Sequence, residues 1–192
     1  MGAARAMIEA DDLAARELPV YFGLGSNLGD RLGYLLQACT MLYSAPGLAR
    51  HAASRVYETE PWGLAEQPAF LNCVVRAQTA LDPHSLLALA ARIEGALGRD
   101  RAVARWGPRT IDVDILMLGD AVVDRPDLMI PHPRMWERAF VLIPLLDLEP
   151  GMRAPDGREI GVFVQDLADA SGVRPIRADL QGVFSGAENR LM

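Results

Sequence analysis

RTIDVDILML, residues 109–118, has the pattern of a strand: Ile111, Val113, Ile115 and Met117 alternate with Asp112, Asp114, Leu116 and Leu118. Successive strand side chains point to opposite faces, so residues two apart share a face at roughly 6.5–7 Å. The isoleucine face, with Met117, is core. The aspartate face is either wet or holds a cation, because two like charges that close in a dry setting cannot both stay ionised. Solvent exposure is the plain alternative, but the neighbours argue for more. Arginines at 92, 99, 101, 105 and 109, against only Glu94 and Asp100, lead straight into the strand. Carboxylates beside arginines suit Mg²⁺ and a polyphosphate, since Mg²⁺ takes one or two carboxylates and leaves its other positions to waters and phosphates.

The preceding GRDRAVARWGPR (98–109) is either a solvated loop or one that closes over phosphates with Arg99, Arg101 and Arg109 as clamps beside Trp106. Arg92 and Arg105 are expected at the surface. The chain contains no lysine, so the presence of arginine at a given site is not in itself an argument for its forked geometry there. The clustering still needs a reason.

At 192 residues the chain fits one domain, large enough to bury roughly 70% of its unfolded surface. Cys39 and Cys73 are too few for a disulfide framework and His51, His84 and His132 too few for structural zinc, so a reducing, cytoplasmic setting is expected. The start lacks the apolar core of a signal peptide, and no apolar run is long enough to span a bilayer. A net charge of −6 argues against general nucleic-acid binding. Small-molecule substrates and a monomer are the expectation.

Along the chain, 1–17 reads as an extension, 18–170 as one domain and 171–192 as a tail. PVYFGLG (19–25) is a β run. Asp30 caps a helix with Leu32, Leu35, Leu36, Cys39 and Leu42 on one face, stopped by Pro46 and Gly47. A strand follows through about 50–58, then the loop TEPWGLAEQP. AFLNCVVRAQTA (69–80) alternates, with Leu71, Cys73, Val75 and Ala77 apolar and Phe70, Asn72, Val74 and Arg76 mixed. Asp82, Pro83 and Gly98 delimit a second helix. After strand 110–118, GD at 119–120 opens a hairpin arm, and a helix lies near 134–147. The fold class expected is α+β: a ferredoxin-like βαββαβ core with an added hairpin and C-terminal helices in α/β/α layers. In this arrangement the first and third helices are expected on one sheet face, leaving the other for a ligand.

GLGSNLGD (23–30) has Leu28 at the sixth position of a GxGxxG frame, where a dinucleotide loop has glycine, and lacks the lysine of a P-loop. It reads as a tight turn, with Gly23 and Gly25 permitting close backbone approach. Phe70 and Asn72 share a face and offer a ring to stack on and an amide to pair with a flat heterocycle; a half-covered Phe beside a surface Asn is the plain alternative. IPHPRMWERAF (130–140) adds His132, Arg138 and Phe140.

GLGSNLGDR, ETEPWGLAEQPAFLNCVV, RWGPRTIDVDIL and IPHPRMWERAFVLIPL together resemble the 6-hydroxymethyl-7,8-dihydropterin pyrophosphokinases of folate biosynthesis, over about residues 19–157. The resemblance implies transfer of pyrophosphate from ATP to the pterin hydroxymethyl group, with AMP released and two Mg²⁺ ions involved. It implies Asp112 and Asp114 as metal ligands. Thr59, Trp62, Phe70, Asn72 and Phe140 would bind pterin; Arg99, Arg101, Trp106 and Arg109 would form the catalytic loop; Glu94, Ile115, His132 and Arg138 would contact ATP. The sequence departs from the family at Phe70, often tyrosine, and at Asp127 and Met129, where some members place basic or hydroxyl residues. Two rivals remain: a two-metal nucleotidyl transferase, which would release pyrophosphate, and a nucleic-acid-binding module.

Overall fold

The structure, a computed structural model, describes residues 16–61, 66–99, 107–154, 157–178, 180 and 182. The elements in chain order are β1 (Leu18–Ser26), α1 (Arg31–Tyr43), β2 (Leu48–Ala53), β3 (Tyr57–Thr59), β4 (Phe70–Thr79), α2 (Pro83–Ala96), β5 (Asp112–Leu118), β6 (Val123–Asp124), β7 (Met129–Ile130), α3 (Ala139–Leu148), α4 (Ile160–Gln165) and β8 (Arg174–Pro175). The expected single strand at 50–58 is two short ones, both paired with β4. The main sheet runs β5-β1-β4-β3-β8 and its pairs are antiparallel.

Local chemistry sets the helix ends. Asp30 caps α1 by accepting from the Gly33 amide at 3.0 Å. Asp82 caps α2 through the amides of His84 and Ser85, with Pro83 in the first turn. Such caps are each worth about 1 kcal/mol. Gly98, at φ +73°, takes the left-handed conformation that ends the second helix, which glycine adopts at least cost.

The sheet separates two cores. Phe22, Leu24, Cys73, Val75, Val113 and Ile115 pack with α1 and α2 on one face. Tyr21, Val74, Leu116 and Met117 pack with α3 and α4 on the other. This corrects two expectations. The first and second helices share a face, not the first and third: the two crossovers run in opposite directions on oppositely oriented strands, so the same right hand puts both helices on one side. Met117 also leaves the isoleucine face, because the β1–β5 register shifts between Tyr21 and Phe22. That bulge sends Met117 toward α3 and Leu118 toward α1 and α2, since one extra residue inverts the alternation beyond it.

The C-terminal end of α3 is fixed to the sheet by two acid–tyrosine–arginine sets. Glu149 accepts from Tyr21 at 2.8 Å and Arg76 at 2.9 Å. Asp147 accepts from Tyr57 at 2.9 Å and Arg55 at 2.7 Å. Beyond α4, β8 extends the sheet beside β3, the Ile176 amide bonds the Val56 carbonyl at 2.9 Å, and Leu180 is buried in the α1/α2 core. Edge pairing that satisfies backbone groups and buries a leucine is ordered structure.

Candidate active site

Because α3 covers only part of its sheet face, an open cleft remains over the ends of β1, β4 and β5. Its floor is Gly23 and Gly25 of β1. A β-carbon on Gly25 would lie 2.9 Å from Asn72 Oδ1, so the missing side chain is what lets Asn72 lie across the strand. Thr59, Phe70, Asn72 and Phe140 line the cleft, as do Arg109, Asp112, Asp114 and Arg138. Strand pairing explains the proximity: Gly25 is opposite both Asn72 and Asp112, and Gly23 is opposite Asp114. Asn72 donates to Thr59 Oγ1 at 2.8 Å, which fixes the amide's orientation.

At the carboxylate end Asp112 holds two arginines, Arg99 at 2.6 Å and Arg109 at 2.9 Å. Arg99 also pairs with Glu94, a buried acid whose Oε1 accepts from the Val113 amide at 3.0 Å. Arg138 lies 3.9 Å from Asp114 and 5.6 Å from the centroid of Phe140. Burial, and then the neighbouring Asp112 charge, pushes the Asp114 carboxyl up from 3.8 to about 7, against the pull of Arg138. Water reaching its 39% exposed side chain screens part of that repulsion. His132 is driven down to about 4 by burial and by Arg138, and so is neutral at physiological pH. Its Nδ1 accepts from the Arg134 amide at 3.2 Å.

The raised Asp114 value has a consequence for metal-free protein. An acid whose folded value exceeds its unfolded one is protonated more in the folded chain between the two, so this group's contribution to stability is fully present below 3.8 and is lost as pH rises through about 7. Asp114→Asn is therefore expected to raise Tm in EDTA at pH 8 and to leave it nearly unchanged at pH 4, by calorimetry. An equal shift at both pH values would place the effect elsewhere.

The structure thus brings together Thr59, Phe70, Asn72, Phe140, Arg109, Asp112, Asp114 and Arg138, with Arg99 adjoining through Asp112. Glu94 lies beneath the β5 end, and the Ile115 side chain is in the α1/α2 core opposite Phe22. The Ile115 side chain points away from this cleft, because Asp114 and Ile115 are neighbours on a strand and point to opposite faces. His132 is outside the cleft lining and bonded through its amide to the Leu116 carbonyl at 2.8 Å. Trp62, Arg101 and Trp106 lie outside the described residues. Glu60 and Gln67, also in the lining, were missed by the sequence reading; they flank the turn-rich loop before β4, where no periodicity indicates direction. Among the described residues no group of three or more His, Cys, Asp or Glu is placed to hold a metal ion. The protein's own offer to a cation here is the Asp112–Asp114 pair.

An α+β sheet whose open face joins an aromatic and amide pocket to a carboxylate–arginine cluster has the parts of an enzyme that brings a flat heterocycle to a polyphosphate. The profile of the 7,8-dihydro-6-hydroxymethylpterin-pyrophosphokinases (HPPK) matches residues 21–150. The 2-amino-4-hydroxy-6-hydroxymethyldihydropteridine pyrophosphokinase of Bacillus subtilis is 47% identical over 128 residues, covering 67% of this chain and 76% of that protein. The enzyme of the same name from Methylorubrum extorquens is 46% identical over 132 residues, covering 69% and 83%. The chain belongs to this pyrophosphokinase family. A solved structure of Plasmodium falciparum HPPK-DHPS with pterin and p-hydroxybenzoate matches with TM-score 0.65 at 16% identity, over 85% of this chain and 46% of that one. The chain spans about half the length of the solved structures it matches, and they share its fold.

Proposed function

We propose that this chain transfers the pyrophosphoryl group of ATP to 6-hydroxymethyl-7,8-dihydropterin in folate biosynthesis, releasing AMP. Family membership supplies the reaction class. The observation that carries the residue assignment is that Asn72 and Asp112 flank the same glycine, Gly25, from opposite sides, so the two half-sites adjoin across one strand. We read the sheet order as the ferredoxin-like arrangement, and the working form as a cytoplasmic monomer acting on small molecules.

Phe70 and Phe140 supply the rings for the pterin, and Asn72, held by Thr59, offers an amide to its edge. Arg99, Arg109 and Arg138 supply the positive charge for the triphosphate. The donor set fits magnesium: two carboxylates on one strand face, lining the same cleft, match an ion that completes its shell with waters and phosphates. Asp112 and Asp114 would hold two Mg²⁺, which when bound withdraw charge from phosphate oxygens. The pterin hydroxyl oxygen forms a bond to the β-phosphorus as the bond from that phosphorus to the α-phosphate oxygen breaks, and the hydroxyl proton is lost. The chain's residues orient the two substrates in line and stabilise charge, which is where phosphoryl-transfer catalysis chiefly lies.

Phosphorus NMR of the protein with ATP, Mg²⁺ and hydroxymethyl dihydropterin is expected to show AMP and a pterin pyrophosphate. Free pyrophosphate with a nucleotidylated pterin would overturn the assignment in favour of nucleotidyl transfer. Gly25→Ala places a methyl against the Asn72 amide and is expected to raise the pterin KM about 10-fold, or about 1.4 kcal/mol, with the ATP KM little changed. Steady-state kinetics in each substrate checks this, and an equal rise in both would locate the damage outside the amide.

A further inference from the structure

The GLGSNLGD turn contains a residue that the reaction above does not use. Asn27 is 1% exposed and follows β1, just ahead of the capped first turn of α1. Its Oδ1 accepts from the Arg109 amide at 2.8 Å and its own amide donates to the Arg109 carbonyl at 3.2 Å. Its Nδ2 donates to Gln67 Oε1 at 3.1 Å and to the Pro68 carbonyl at 3.3 Å. A backbone N–H can only donate and a backbone carbonyl only accept, so Arg109 and Pro68 together fix which way the carboxamide faces. One buried side chain on the central strand's exit thus fastens two segments distant in sequence. One carries Gln67 and leads into Phe70; the other carries Arg109, whose guanidinium holds Asp112 at 2.9 Å.

We propose that Asn27 is a positioning residue that couples the two substrate half-sites, tying the segment beside the aromatic pocket to the backbone of Arg109 at the carboxylate end. This rests on the functional reading above. Ordering one segment around its ligand restrains the other through a shared, fully used carboxamide, so each ligand lowers the ordering cost of its partner. A surface turn asparagine would leave that reciprocity untouched.

The test measures hydroxymethyl dihydropterin binding by calorimetry with and without Mg²⁺ and the α,β-methylene analogue of ATP. In the natural protein the nucleotide is expected to tighten pterin binding at least ~5-fold, the lower end of ordinary coupling. Asn27→Ala, which removes the carboxamide's bonds to both segments and leaves only the backbone bond to the Arg109 carbonyl, is expected to lower that ratio toward one and to lower kcat more than it raises either KM. Asn27→Asp keeps the acceptor for the Arg109 amide but sets an oxygen against the Pro68 carbonyl, and is expected to lose most of the ratio too. Gln67→Ala cuts one tie at a partly exposed position and serves if the Asn27 variants do not fold; it is expected to reduce the ratio partially. A ratio unchanged in folded variants, or absent in the natural protein, overturns the coupling. Failure of the natural protein to bind pterin at all would instead sink the functional reading.

Discussion

Asp112→Ala or Asp114→Ala is expected to lower turnover at least ~100-fold, about 2.7 kcal/mol of transition-state stabilisation. The two carboxylates are not equivalent in the structure. Asp112 is the joint acceptor of Arg99 and Arg109, so its loss leaves two guanidinium groups facing each other and releases the positive end of the site. Asp114 is the acid that burial and Asp112 push up to about 7, and its loss removes a proposed metal ligand while relieving repulsion. Both variants should therefore lose rate, but the Asp114 variant should keep its thermal stability in EDTA and the Asp112 variant should lose some. Single-turnover rates across a Mg²⁺ titration, beside melting curves, check this. Near-normal turnover of either variant at saturating Mg²⁺ would overturn the metal assignment.

Arg99→Ala and Arg109→Ala are expected to slow catalysis by ~10–100-fold, in the range for removing one group aimed at developing charge, with nucleotide affinity little changed. Arg109 is anchored at both levels: its backbone by Asn27 and its guanidinium by Asp112 and the Gly107 carbonyl. Arg99 is held between Glu94 and Asp112. Both side chains are aimed at the carboxylate end of the cleft, where charge develops in the transfer, which is why the loss should fall on kcat. Removing Arg99 also leaves the buried Glu94 without that cation, so its variant should melt lower than that of Arg109. Nucleotide binding that collapses while kcat holds would show that these side chains bind ATP in the ground state instead.

Much of this architecture was legible in residue order. The caps Asp30 and Asp82 mark α1 and α2 within a residue or two because capping depends on neighbours three positions away. Strict alternation in β4 assigned Leu71, Cys73, Val75 and Ala77 to the core and Phe70 with Asn72 to the cleft side. The same period placed Asp112 and Asp114 together. It failed at Met117, where a bulge resets the alternation without any mark in composition, and it could not say that Ile115, taken as a nucleotide contact, is turned into the opposite core. Glycines 23 and 25 were readable as permissive, but only the pairing of three strands shows that Asn72 occupies the space at Gly25.

The chain's order of residues determined its elements, the side of each element that is apolar, and the chemical character of the aspartate and arginine groups, because all of these follow from interactions between near neighbours. Only the tertiary structure decided that α1 and α2 share one face, that residues 174–176 finish a sheet edge, and that Asn27 and Arg109, 82 positions apart, meet. Those outcomes depend on crossover handedness and on contacts between distant segments, for which a local period holds no record.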